Sequence, residues 1–257
     1  MSKGLEVHQF PCLDDNYGYL VHDLETGMTA AIDTPDATPI LAALKEKGWK
    51  LTHILNTHHH GDHVGGNLAL KAETGCTIIG PKVEEAVIPG IDRAVSEDDV
   101  VELGASSARV IEVPGHTRGH IAYSFSDAGV AFVGDTIFAL GCGRLFEGTP
   151  AQMWDSIQKL AALPDDTLVY CAHEYTQSNA RFALTVEPQN GALQARAKEV
   201  DEKRARGEWT VPTTIALEKA TNPFLRPASK DLQETVGLAG APLVDVFAET
   251  RRLKDNF

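Results

Sequence analysis

Long apolar runs are missing from this chain of 257 residues. No segment approaches the roughly 18 consecutive apolar residues that a membrane-crossing helix needs, so no span is expected. Cysteine is scarce. Cys12, Cys76, Cys142 and Cys171 show no paired spacing, which excludes a disulfide framework and suggests a reducing compartment. Positive charge is also in deficit, with 23 Lys and Arg against 36 Asp and Glu and a net charge of −13. Such a balance argues against nucleic acid as a partner, and its long-range field disfavours an anionic ligand. The opening residues Met1-Ser2-Lys3-Gly4-Leu5-Glu6 lack the apolar core of an export signal, so the cytoplasm is the expected compartment; a monomer is the plain expectation for oligomeric state. At 43% hydrophobic the chain can bury a full core, as one large domain or two.

Histidine and aspartate are clustered. The segment Thr57-His58-His59-His60-Gly61-Asp62-His63 places four imidazoles and a carboxylate directly after the apolar run 51–55. An internal run interrupted by Gly61-Asp62 is not an expression tag. Imidazole and carboxylate suit zinc, iron and manganese. In an extended stretch His58 and His60 point to one side, and a tight turn would bring Asp62 and His63 to a second position nearby. His59 falls between ligands and is expected to face away. Three further metal-competent groups follow strand-like runs: His116 after 108–113, Asp135 after 130–134 and His173 after 168–172. Five His and two Asp make seven donors. Seven is the number needed for three ligands on each of two cations plus one carboxylate shared by both.

Short apolar runs at 18–22, 28–32, 51–55, 77–79, 108–113, 121–125, 130–133 and 167–172 read as strands, with Asp127-Ala128-Gly129 as a hairpin turn. A helix is predicted from Thr149 as N-cap and Pro150 at its first position, with Met153, Trp154, Ile157, Leu160 and Ala161 on its apolar face. After His173 the pattern becomes helical, over 178–185, 192–206 and 215–220, broken at Glu187-Pro188 and Asn222-Pro223. The expectation is a sheet-containing metal domain, residues 1–173, followed by a smaller helical domain, residues 174–257, that brings cations over the site.

The constellation His-x-His-x-Asp-His, then a distant His, an Asp and a last His, resembles the metallo-β-lactamase superfamily. More narrowly, the chain resembles the hydroxyacylglutathione hydrolases, also called glyoxalase II. The narrower likeness rests on Leu13-Asp14-Asp15-Asn16-Tyr17-Gly18-Tyr19-Leu20, Gly134-Asp135-Thr136-Ile137-Phe138 and Gly141-Cys142-Gly143-Arg144-Leu145-Phe146-Glu147-Gly148-Thr149. It also rests on His173-Glu174-Tyr175-Thr176, Asn222-Pro223-Phe224-Leu225-Arg226 and Arg251-Arg252-Leu253-Lys254-Asp255-Asn256-Phe257. The resemblance implies an α+β fold, a four-layer αβ/βα sandwich with a small helical domain behind it. It implies two divalent cations, zinc first with iron or manganese as alternatives. His58, His60 and His116 would hold one, Asp62, His63 and His173 the other, and Asp135 would bridge them. Around the glutathione moiety it points to Arg144, Phe146, Tyr175, Arg251 and Lys254. Position 144 is Arg where many relatives carry Lys, which keeps the charge but changes donor geometry. Position 146 is Phe where Tyr is often found, so a phenolic hydrogen bond would be missing.

The activity this implies is hydrolysis of S-(2-hydroxyacyl)glutathione thioesters, S-D-lactoylglutathione to D-lactate and glutathione, the second step of methylglyoxal detoxification. A metal-bound hydroxide held beside Asp62 and Asp135 would attack the thioester, and a thiolate, with a pKa near 8.5, leaves readily. Arg251, Arg252 and Lys254 admit a second reading as cations at a helix C-terminus. Asp33, after the run 28–32, reads either as an orienting acid behind the ligands or as a strand-end turn residue. His53 and His120 read as core or supporting groups. Other enzymes of the scaffold are the competing readings: a lactonase, another thioesterase, a β-lactamase or a persulfide dioxygenase. A full second-metal set disfavours the one-iron dioxygenase, and the missing export signal disfavours a periplasmic β-lactamase.

Overall fold

The computed structural model describes residues 4–257; Met1, Ser2 and Lys3, part of the stretch expected to lack an export signal, lie outside the described residues. Two compact units emerge, one from residues up to Glu112 with Thr117–Gly134, the other from Val113–His116 with Asp135–Phe257. Among the described residues no helix is long and apolar enough to cross a membrane.

The first unit contains a six-stranded sheet in chain order: Leu5–Cys12, Asn16–Asp23, Thr29–Ile32, Leu51–Leu55, Thr77–Pro81 and Arg93–Val95. Its first three strands are antiparallel hairpins and the rest run parallel. Parallel neighbours need a crossover, and the helices Ala37–Lys47 and Asn67–Thr74 supply two of them. Asp36 caps the first by accepting from the Thr38 amide, and Gly48 ends it in the left-handed conformation. Ile40, Ala43, Leu44 and Leu70 of these helices pack on Leu20, Ala31, Ile54 and Ile78 of the strands. An antiparallel meander, Val100–Leu103, Ser106–Glu112, Ile121–Phe125 and Val130–Gly134, belongs to the same unit. Its last two strands, Ile121–Phe125 and Val130–Gly134, are buried at every position, as strands covered on both faces are. Tyr19 meets Phe132 edge-on at 5.6 Å, and the Tyr123 hydroxyl donates to the Asn56 carbonyl at 2.9 Å. The two sheets therefore share one core.

Helices dominate the second unit: Pro150–Ala161, Thr176–Val186, Gly191–Ala205, Ile215–Thr221, Lys230–Thr235 and Leu243–Asp255. The first begins as expected at Thr149, with Gln152 completing a reciprocal capping box. Phe182, Phe224 and Phe247 form a fully buried aromatic cluster, Phe182 stacked on Phe224 at 6.1 Å and Phe224 meeting Phe247 edge-on at 6.0 Å. A buried ion pair joins Arg196 to Glu218 at 2.5 Å.

Most of the expected strands form close to their predicted limits. Among the described residues the unanticipated strands are Leu5–Cys12, where Pro11 and polar residues mask the period, the short Arg93–Val95 and Val100–Leu103, the hairpin of Ile137–Phe138 with Gly141–Cys142, and Thr213–Thr214. Residues 13–15, the start of the first stretch that carries the family likeness, form a hairpin turn, with Leu13 at φ 50°. Strand character does not vanish after His173, since Thr213–Thr214 pairs with Leu168–Cys171.

Candidate metal centre

In the first unit, one carboxylate organises the histidine run. Asp33 sits at φ 55°, just past Thr29–Ile32, and accepts from the Thr57 amide and the Thr57 hydroxyl, each at 2.8 Å. Its Oδ2 also lies 2.9 Å from His63 Nδ1. A carboxylate only accepts, so that ring nitrogen carries the proton and the lone pair resides on Nε2. The same logic reaches His58. Thr57 has spent its hydroxyl proton on Asp33, so its oxygen accepts from His58 Nδ1 at 3.0 Å, and His58 too presents a basic Nε2. Asp33 is thus the orienting acid, and it is also the strand-end residue of the alternative reading.

The chain then turns. Leu51–Leu55 delivers His58 and His60, and the short helix Gly61–Val64 swings Asp62 and His63 round. His58 Nε2 and His60 Nδ1 stand 3.0 Å apart, and His63 Nε2 and Asp62 Oδ2 stand 3.5 Å apart. Tetrahedral bonds of 2.0–2.1 Å to one zinc would separate two nitrogens by about 3.3 Å, so each pair has the spacing of co-ligands. Asn16 Nδ2 donates to both the Asp62 carboxylate and its carbonyl. His59 faces away, its Nδ1 3.0 Å from Glu84 Oε2. Buried Glu84 also accepts from the Thr117 hydroxyl and the Gly119 amide. His120 stacks on His58 at 4.6 Å. Gly134 leaves room for this stack, since a Cβ there would come within 2.6 Å of Thr57 Oγ1 and 2.7 Å of His120 Nε2. His53 lies in its strand, half-buried against the Thr52 hydroxyl at 2.9 Å.

In the second unit the three later donors meet around one carboxylate. Asp135 Oδ2 lies 3.4 Å from His116 Nε2, and Asp135 Oδ1 lies 3.5 Å from His173 Nε2. Each oxygen faces a different imidazole. The Arg144 carbonyl accepts from His116 Nδ1 at 2.9 Å, which again fixes the tautomer with Nε2 basic. His173 stacks flat on Tyr175 at 4.7 Å, with the Phe138 edge at 5.9 Å. A side chain at Gly143 would collide with the Asp135 carbonyl and come within 3.1 Å of His116 Nδ1.

The expected substrate contacts lie in the second unit too. Phe146 is 62% exposed, with its ring centroid 5.2 Å from that of His116 and the two ring planes inclined at 66°. Arg144 is exposed, with Nε 4.0 Å from Asp255. Arg251 is buried: it donates to the Cys142 carbonyl at 2.9 Å and pairs with Asp255 at 2.7 Å, while its Nε has no partner among the described residues. Lys254 lies near Ser178 and between the Phe182 and Phe257 rings. Burial, reinforced by Arg251, Arg181 and Arg144, pulls the Lys254 ammonium down to about 8. Burial pushes the Cys142 thiol up to about 11, which suits packing and not nucleophilic work. Sequence reasoning missed Glu84 and Arg181; neither stands in a motif, and only three-dimensional proximity exposes them.

Comparison with known proteins matches the chain to two family patterns, which meet at residue 173 and not at the limits of the two compact units. The metallo-beta-lactamase superfamily pattern matches residues 23–173, and that of the hydroxyacylglutathione hydrolase C-terminus matches 174–257. The hydroxyacylglutathione hydrolase of Methylococcus capsulatus is 56% identical over 98% of this chain and 99% of its own. That of Brucella anthropi is 57% identical over 100% and 99%. The chain belongs to the hydroxyacylglutathione hydrolase family. Among solved structures, ETHE1 from Myxococcus xanthus superposes with a TM-score of 0.66 at 27% identity, covering 96% of this chain and 98% of that one. The di-iron-bound form of TTHA1623 shares the fold, with a TM-score of 0.61 at 24% identity over 86% of this chain and 100% of that one. The fold is therefore the metallo-β-lactamase αβ/βα sandwich with the helical C-terminal part of this hydrolase family. Its basic ring nitrogens and carboxylates are the donor chemistry of a divalent-cation site.

Proposed function

We propose that this chain hydrolyses 2-hydroxyacyl thioesters of glutathione, S-D-lactoylglutathione to D-lactate and glutathione, with two divalent cations. His58, His60 and His116 take one cation, Asp62, His63 and His173 the other, and Asp135 serves both. The observation that carries this reading is the Asp135 carboxylate, whose two oxygens each face a different imidazole. One cation needs no such division; two need a shared acid. When bound, the cations supply Lewis acidity toward the thioester carbonyl and bring the pKa of coordinated water to about 7.

The chain's own residues prepare that chemistry. Asp33 and the Arg144 carbonyl hold His58, His63 and His116 with Nε2 basic, the state a cation requires. Arg144, Arg251 and Lys254, joined by Arg181, attract the two glutathione carboxylates against a net charge of −13. Phe146 and Tyr175 present aromatic faces beside His116 and His173. Water adds to the acyl carbon, the C–S bond breaks, and the electron pair leaves on sulfur as a thiolate, which needs no separate acid. Zinc is the proposed metal, with iron and manganese compatible with the same donors. A monomer in the cytoplasm, with the part from residue 174 onward carrying the glutathione contacts, completes the reading.

Elemental analysis of the purified protein, coupled to thiol release from S-D-lactoylglutathione, tests it. Close to two cations per chain and rapid thiol release are expected. Lactone cleavage without thioester cleavage would overturn the substrate, and a single cation at saturation would overturn the dinuclear site.

A further inference from the structure

The stretch Asn222-Pro223-Phe224 takes no part in the chemistry above, yet Asn222 is fully buried and polar. Its Oδ1 accepts from the Phe224 amide, and Pro223 opens the short 3-10 turn this caps. Its Nδ2 donates to the carbonyls of Phe138 and Gly141, at 3.2 and 2.9 Å, and to Glu218 Oε2 at 2.8 Å. Glu218 Oε2 accepts in turn from the Leu140 amide at 2.9 Å, and its Oε1 is held by Arg196 and Thr213. Asn179 donates to the Ala139 carbonyl at 3.1 Å. Residues 138–141 therefore have three carbonyls and one amide bound by side chains from helical segments far along the chain. Leu140 is held at φ 61°, a conformation that costs a leucine energy and persists only when its surroundings impose it.

The two residues beyond Cys142 touch the donors directly. Gly143 packs its bare Cα on the Asp135 carbonyl, and the Arg144 carbonyl receives the His116 Nδ1 proton. We propose that Asn222 and Glu218 are positioning residues for His116 and Asp135, acting through the segment 138–144. The buried polar groups of the helical part thus set the aim of two metal ligands. This inference rests on reading the site as a metal centre.

The test compares Asn222→Ala with Glu187→Gln in the full chain. Glu187 is equally buried in the same unit, paired with Arg226, and does not touch the turn. Cation retention is measured by competition with a graded chelator, and kcat and KM by thioester hydrolysis, on samples with matching circular dichroism below their melting temperatures. Asn222→Ala should weaken cation affinity by about 10- to 100-fold, the scale of a lost outer-shell partner, and lower kcat more than it alters KM. Glu187→Gln should lower the melting temperature and leave affinity unchanged. Should Asn222→Ala fail to fold, Asn179→Ala removes a single donor from the same turn and should show a smaller loss of the same kind. Wild-type affinity and kcat in a folded Asn222→Ala or Asn179→Ala variant would overturn the inference. So would an equal loss of affinity in Glu187→Gln. A wild-type protein that takes up no cation would overturn the metal reading itself, before any variant is made.

Discussion

The two groups of donors are built in opposite ways. His58, His60, Asp62 and His63 lie within one short run, aimed by strand alternation, a four-residue helix and the Asp33 carboxylate. His116, Asp135 and His173 stand after three separate strands and are aimed by a backbone carbonyl, a bare glycine and a packed turn. The first group rests on two side chains behind it, Asp33 and Asn16. The second depends on the packing of an entire unit. A compact motif concentrates its vulnerability, whereas a dispersed one spreads it.

Substitutions can break this contrast, beginning with the largest effect. Asp135→Ala removes the acid that the second group is built around. Turnover of S-D-lactoylglutathione should fall by at least about a hundred- to a thousandfold, with bound metal reduced, as read by kcat and elemental analysis. Asp33→Asn should come next. The amide no longer accepts from Thr57 and His63 together, and cation affinity should drop by about 10- to 100-fold in a chelator titration while the fold survives. A larger loss of affinity from Asn222→Ala than from Asp33→Asn would reverse the contrast between concentrated and spread support.

Arg251→Ala tests whether the proposed glutathione contact is also a structural pin. Because Arg251 is buried and bound to the Cys142 carbonyl and Asp255, its loss should cost about 2 kcal/mol in a denaturant melt as well as raising KM. A rise in KM with no loss of stability would show that its buried contacts carry nothing. The pH profile sharpens the same region. Lys254 attracts an anion only while protonated, and its pKa is lowered to about 8, so KM should climb as pH rises through about 8. Lys254→Arg should flatten that climb. Phe146→Tyr should be the mildest, changing KM by about threefold or less, as one exposed hydrogen bond allows.

Legibility followed the same contrast. The run at 57–63 announced itself, because its residue types and spacing are local. His116, Asp135 and His173 were readable as polar groups closing apolar runs, but their grouping needed a family likeness. Asp33 remained open between two roles because both are served by one strand end. Glu84 and Glu218 were invisible: each acts on backbone groups distant in sequence, and a lone buried glutamate carries no periodic signature. The helix from Pro150 and the strands with apolar runs were legible for the complementary reason, that capping and burial are written in neighbouring residues. Leu5–Cys12 escaped because Pro11 and His8 interrupt its alternation.

The left-handed Leu140, clasped by side chains from Asn179, Glu218 and Asn222, has a practical corollary for recombining relatives. A chimera that imports a foreign C-terminal portion while keeping its own hairpin at 137–142 would mismatch lock and key. Crossovers that carry residues 137–144 along with everything from 179 to 222 should yield metal-loaded proteins; those cut between them should not.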